Sequence, residues 1–81
     1  MTQAKVLRPY YDVGGRKYMD LEIEGVLRRV KVPFRYGRVM CRMKGLRTIQ
    51  EIEAQEIIEA EFEKKIWEGQ THWIISEFSS E

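Results

Sequence analysis

Apolar and polar residues alternate through much of the first half of the chain. The clearest stretch is Tyr18-Met19-Asp20-Leu21-Glu22-Ile23-Glu24, in which Met19, Leu21 and Ile23 share one face and the charged residues share the other. A period of two marks a strand with one buried face. Val30, Val32 and Phe34 repeat it around Lys31, and Val39, Cys41 and Met43 repeat it with Arg38 and Arg42 opposed. Glycines punctuate the joins at Gly14-Gly15, Gly25 and Gly37, as turns require.

Two-residue hairpin loops give a test of register. With Glu24-Gly25 as one loop, Ile23 faces Val26, Leu21 faces Arg28 and Met19 faces Val30. With Tyr36-Gly37 as the next, Phe34 faces Val39, Val32 faces Cys41 and Val30 faces Met43. Nearly all apolar positions then fall on one face, with Arg28 the exception. A slip of one residue would invert a whole strand, so the agreement predicts an antiparallel meander. A further strand, roughly Lys5 to Val13, precedes it with poor alternation. Pro9 lacks an N–H and belongs at a sheet edge or a bulge.

After Gly45 the punctuation is that of a helix. Thr48-Ile49-Gln50-Glu51 fits a capping box, and Gly69 fits the residue just past a helix end, where a positive φ is wanted. Glu51 and Glu53 near the start, with Lys64 and Lys65 near the end, complement a helix dipole. The last segment, Thr71 to Phe78, is aromatic and β-branched and reads as a strand. The expected fold is one α+β domain over residues 1–81, a four-stranded antiparallel meander followed by one long helix and a C-terminal strand (ββββαβ).

Composition narrows the function. At 81 residues the chain is a single domain at most. A hydrophobic fraction of 43% is globular rather than disordered. No apolar run approaches the ~20 residues of a membrane helix, and the start of the chain does not resemble a signal peptide, so a cytoplasmic protein without membrane contact is expected. One cysteine, Cys41, and one histidine, His72, supply neither a disulfide nor a zinc site, so no metal and no cofactor are expected. Glycine-rich phosphate loops and nucleophile–base arrangements are absent from the sequence. The helix carboxylates read as a solvated face, and the expectation is a binding protein rather than an enzyme.

Charge is distributed unevenly. Residues 1–47 carry 12 Lys and Arg against 4 Asp and Glu, and residues 48–81 carry 2 against 9, so +8 is followed by −7 and the net is +1. Such asymmetry points toward a charged partner. On the outer face of the meander lie Arg29, Lys31, Arg35, Arg38 and Arg42, with Lys44 at the end. The assumed register sets Lys31 opposite Arg42 and Arg35 opposite Arg38. Like charges across a ladder are unfavourable, and an anionic ligand would offset them. Arginine suits phosphate and stacks on bases, while Tyr18 and Tyr36, with Tyr11 nearby, offer stacking surfaces. The leading expectation is therefore DNA or RNA binding, with single strands favoured.

The expected helix carries a second surface. Ala54, Ile58, Phe62 and Ile66 form one stripe, and Ile49, Ala60 and Trp67 form another on the opposite side. A helix lying on one sheet needs only one apolar stripe, so Ile49, Ala60 and Trp67 are the candidate interface to a partner or a second copy, and a homodimer is expected. The alternative function is a small regulator or inhibitor, of the kind encoded by phages and mobile elements. It would bind a host protein through its charged surfaces and the spare stripe. The expected architecture is similar to the Whirly and PUR-type single-strand binders, which use a basic sheet face and pair through helices; no sequence motif adds to that likeness.

Overall fold

The computed structural model describes residues 1–33, 40–42 and 47–80. It is a small all-β barrel of five strands, and the described residues contain no α-helix. The strands are β1 (Thr2–Val13), β2 (Arg16–Ile23), β3 (Val26–Val32), the two-residue β4 (Met40–Cys41), β5 (Ile57–Trp67) and β6 (Gln70–Ser80). Their order is β3-β2-β1-β5-β6, closed by pairing of β3 with β6, and β4 lies beside β6. All neighbours are antiparallel except β3–β6 and β4–β6, which are parallel.

The first hairpins follow directly from the alternating pattern. Met19 pairs with Val30, Leu21 with Arg28 and Ile23 with Val26, the register that a Glu24-Gly25 loop predicts. Both loop residues have positive φ, 53° and 78°, the geometry of a type I′ turn whose twist matches the flanking strands. Gly14 and Gly15 repeat it between β1 and β2, with φ of 60° and 82°. The Asp12 carboxylate secures this turn by accepting from the Gly15 N–H at 2.9 Å and pairing with Lys17. The weak alternation of β1 has a local cause. Its register on β2 shifts twice, between Val6 and Arg8 and between Arg8 and Tyr11, and Pro9 lies in the second shift, where no ladder N–H is required.

The predicted helix is a strand. The capping signal at Thr48 starts only a single 3-10 turn, Ile49–Glu51, in which the Thr48 N–H donates to the Glu51 carboxylate at 2.8 Å. Ile52 is already extended, with φ −74° and ψ 130°. From Ile57 the chain runs as β5, with Ile58 and Ala60 buried, Phe62 half-buried, and Glu59, Glu61 and Glu63 exposed. Spacings of four fit one helix face and equally one strand face. Glutamate at every second position decides for the strand. Gly69 does take a positive φ, 72°, but beside Glu68 at 53° in a third two-residue hairpin turn, where Trp67 pairs with Gln70.

The expected second hairpin is also corrected. The neighbour of β3 is β6, through Val30 with Trp73 and Lys31 with Ile74. Cys41 pairs with Phe78, not with Val32. The expected Tyr36-Gly37 loop lies outside the described residues. With no long helix, the architectural likeness to Whirly and PUR-type binders falls away, as does a dimer formed through helices.

The barrel interior is one cluster. Val6, Met19, Leu21, Val30, Ile58, Ile75 and Phe78 are enclosed by the strands. Ile49 and Ile52, in the segment that precedes β5, are fully buried and join the same cluster. That segment is fixed by polar contacts. Arg47 makes a forked pair with Glu56 at 2.9 and 3.0 Å and donates to the Glu51 carbonyl at 2.7 Å. The Val6 N–H donates to the Glu56 carbonyl at 2.9 Å, and the Gln55 N–H donates to the Val6 carbonyl at 2.7 Å.

Two outcomes follow. Phe78→Ala empties the centre of the barrel and should cost about 3–5 kcal/mol, read as a lower urea midpoint at unchanged slope. Glu68→Asn places a residue that tolerates left-handed backbone where glutamate is strained. It should raise stability by about 0.5–1 kcal/mol, and no rise in the melting temperature would contradict the turn assignment.

Candidate nucleic-acid interface

The strand ladders bring a set of cations and aromatic rings onto one outer face. Tyr11 on β1 pairs with Tyr18 on β2, and Tyr18 pairs with Lys31 on β3. Arg8 pairs with Asp20, and Asp20 with Arg29. Directly paired residues share a face. Since Met19, Leu21, Val30 and Val32 point inward, these six point outward.

Asp20 organises the centre. Its Oδ1 accepts from the Tyr11 hydroxyl at 2.6 Å and lies 3.5 Å from Arg29 Nε. Burial raises the Tyr11 pKa above its ordinary 10.0, and the hydrogen bond and negative charge of Asp20 add to the rise. The phenol is thus held neutral and oriented. Rings and guanidinium groups alternate around it. Tyr11 and Tyr18 have centroids 6.0 Å apart at 36°. The Arg8 guanidinium lies 3.8 Å from the Tyr11 centroid, and that of Arg29 lies 6.0 and 5.9 Å from Tyr11 and Tyr18. Cation–π attraction favours these placements, and the Arg29 side chain remains 64% exposed.

The strip continues onto the β5–β6 hairpin. Lys31 Nζ lies 5.7 Å from the Trp67 ring, and Trp67 stacks on His72 at 3.6 Å and 10°. Arg8, Tyr11, Tyr18, Arg29, Lys31, Trp67 and His72 therefore form an interleaved band across β1, β2 and β3 to the hairpin. Flat rings can receive bases by stacking, and exposed guanidinium and ammonium groups can pair with phosphate.

The expected site residues divide into three sets. Tyr18, Arg29 and Lys31 are brought together in this band. Arg42 is elsewhere: beside β6, it pairs with Glu77 and lies 3.5 Å from Glu61. Its expected place opposite Lys31 is taken by no residue of β4, since Lys31 pairs with Ile74. Arg35, Tyr36, Arg38 and Lys44 lie outside the described residues. The expected interface stripe does not share a face. Ile49 and Ala60 are fully buried in the core, whereas Trp67 is 41% exposed at the hairpin tip.

Arg8 and His72 enter the band without having been singled out for it, and Trp67 enters in a different role. The Arg8-Pro9-Tyr10-Tyr11 run was the available sequence signal, hidden by the bulges that break its alternation. Trp67 and His72 could be joined only by reading residues 57–67 as a strand. Along the outside of β5, Glu59, Glu61 and Glu63 form an acidic row, with Lys65 between them and Trp67.

No protein-family model, curated protein or solved structure matches this chain.

Because the fold prefers neutral Tyr11, the stability this group contributes is complete below pH 10.0 and is lost as pH rises through its raised value. Unfolding midpoints should decline on that side. In Asp20→Asn, tyrosinate absorbance, taken as a difference from Tyr11→Phe, should show Tyr11 ionising closer to 10.0. An unchanged titration would remove Asp20 as a cause.

Proposed function

We propose that the protein is a non-catalytic binding module that holds single-stranded nucleic acid across the outer face of β1, β2 and β3, toward the β5–β6 hairpin. The supporting observation is the alternation of cations and rings from Arg8 through Tyr11, Arg29, Tyr18 and Lys31 to Trp67. A duplex hides its bases, so a row of partly exposed rings is of use chiefly to an unpaired strand. Arg8, Arg29 and Lys31 supply the phosphate contacts, and Tyr18 and Trp67 the stacking surfaces.

Topology supports the location. Five-stranded Greek-key barrels of the oligonucleotide- and oligosaccharide-binding type use the face of their second and third strands, with the loops joining strands one to two and four to five. In this barrel β5 and β6 are the fourth and fifth closing strands. The matching elements are β2, β3, the Gly14-Gly15 turn and the Glu68-Gly69 turn, and the band runs over this face. This is fold-level analogy and supports the place of binding rather than the ligand. The alternative of a protein-binding regulator relied in part on an apolar helix stripe, and that stripe is divided between the core and a hairpin tip.

Fluorescence anisotropy with labelled single-stranded and duplex oligonucleotides tests the reading. Three phosphate contacts on a single strand give about a 20-fold loss of affinity from 50 to 200 mM salt. Tyr18→Ala should cost about 1–3 kcal/mol of binding, and Arg29→Glu with Lys31→Glu should abolish it while the melting temperature stays near wild type. Affinity indifferent to salt and to these changes, or a preference for duplex, would reject the proposal.

A further inference from the structure

Two inward-facing positions break the apolar lining of the barrel. Arg28 on β3 pairs with buried Leu21, so its side chain starts on the inner side. Lys64 on β5 follows Phe62 by two residues and pairs with Trp73, so it starts there too. Both reach the same ring. The Arg28 guanidinium carbon lies 4.9 Å from the Trp73 centroid, and Lys64 Nζ lies 4.4 Å from it.

Arg28, Lys64 and Trp73 line a pocket of about 240 Å³ at one end of the barrel, together with Thr2, Glu24 and Phe62. The Nε of Arg28 is enclosed and has no hydrogen-bond partner. Among the described residues neither cation forms a salt bridge; Glu24 sits in the lining without pairing to either. Arg28 is half-buried and Lys64 exposed, both against Trp73; two like charges on one ring repel one another, and an enclosed donor without a partner is costly. The arrangement contrasts with Arg42 and Arg47, each of which has carboxylate partners.

We infer that this end of the barrel is a binding site for a small phosphate monoester, separate from the outer nucleic-acid face. The phosphate dianion sits between the terminal nitrogens of the Arg28 guanidinium and the Lys64 ammonium. Arginine provides directed paired donors and lysine a compact charge, a combination suited to phosphate. The pocket is larger than one phosphate group, and the remaining space beside Phe62 and Trp73 takes a small apolar or aromatic substituent.

The test uses the whole chain with Trp67→Phe, which leaves Trp73 as the one tryptophan. Its emission and the melting temperature are followed during titration with inorganic phosphate, phenyl phosphate and succinate, at ionic strength held constant with sodium chloride. Phenyl phosphate should give a saturable change in emission and a rise in melting temperature, with inorganic phosphate weaker. Arg28→Met with Lys64→Met should weaken this response by roughly tenfold or more. The same variant without ligand should melt at or above the parent temperature, because the enclosed, unpartnered Arg28 Nε is gone, and on an otherwise wild-type chain it should bind oligonucleotide unchanged. Three results would overturn the inference: no saturable response to either phosphate, an equal response in the double variant, or succinate binding as well as phenyl phosphate.

Discussion

Closure of the barrel between β3 and β6 is the constraint on which everything else rests. The seam is short, with Val30 beside Trp73 and Lys31 beside Ile74. Without it, the three-stranded meander and the β5–β6 hairpin would each leave an apolar face in water. Parallel pairing also demands a crossover, because no tight turn can join strands that run the same way. The chain meets that demand between β3 and β5. There, Ile49 and Ile52 reach the core, and the Arg47–Glu56 fork holds the segment down. Residues that look peripheral in sequence thus complete the interior. The seam also carries Lys31 to the Trp67 hairpin, so the outer band exists only when the barrel is shut.

The distribution of charge in space follows the distribution in sequence, with an important qualification. Among the described residues, seven cations of the first half lie on the meander, and Glu59, Glu61 and Glu63 of the second half line the outside of β5. Some of the two sets neutralise one another. Arg42 is taken up by Glu77 and Glu61, and Arg47 by Glu56. Among the described residues, Arg8 has no carboxylate partner within salt-bridge distance, and Arg29 only the shared carboxylate of Asp20 at 3.5 Å. The near-zero net charge therefore conceals a cationic band on β1–β3 and an acidic row on β5, and a polyanion would be drawn to the first and repelled by the second.

Local rules read this sequence well, and long-range ones could not be read at all. The Glu24-Gly25 loop fixed the β2–β3 register because a two-residue turn leaves no freedom to slip. Tyr18, Arg29 and Lys31 were legible as neighbours for the same reason. Thr48 and Gly69 were sound local signals attached to the wrong element: one opens a single 3-10 turn, the other a hairpin. Between them, Ile58, Phe62 and Ile66 recur every four residues, which suits a helix and a strand alike. Glu59, Glu61 and Glu63 carried the distinction. Arg28, the one residue that offended the apolar face, was a true feature of the fold, explained by Trp73, a partner 45 positions away in the chain. No local pattern announces the β3–β6 pairing, so neither the barrel nor the place of Trp67 and His72 followed from the sequence.

The three two-residue turns have a kinetic consequence. Each joins strands that are adjacent in sequence, and such hairpins form in about 1–10 μs. The seam joins residues far apart along the chain, so its loop entropy must be overcome before its contacts repay it. Folding then has a natural order, with hairpins early and closure late. During the interval the facing edges of β3 and β6 present unpaired backbone and a half-covered core. That interval, rather than the finished barrel, is where the chain is most exposed to misassociation with its own copies.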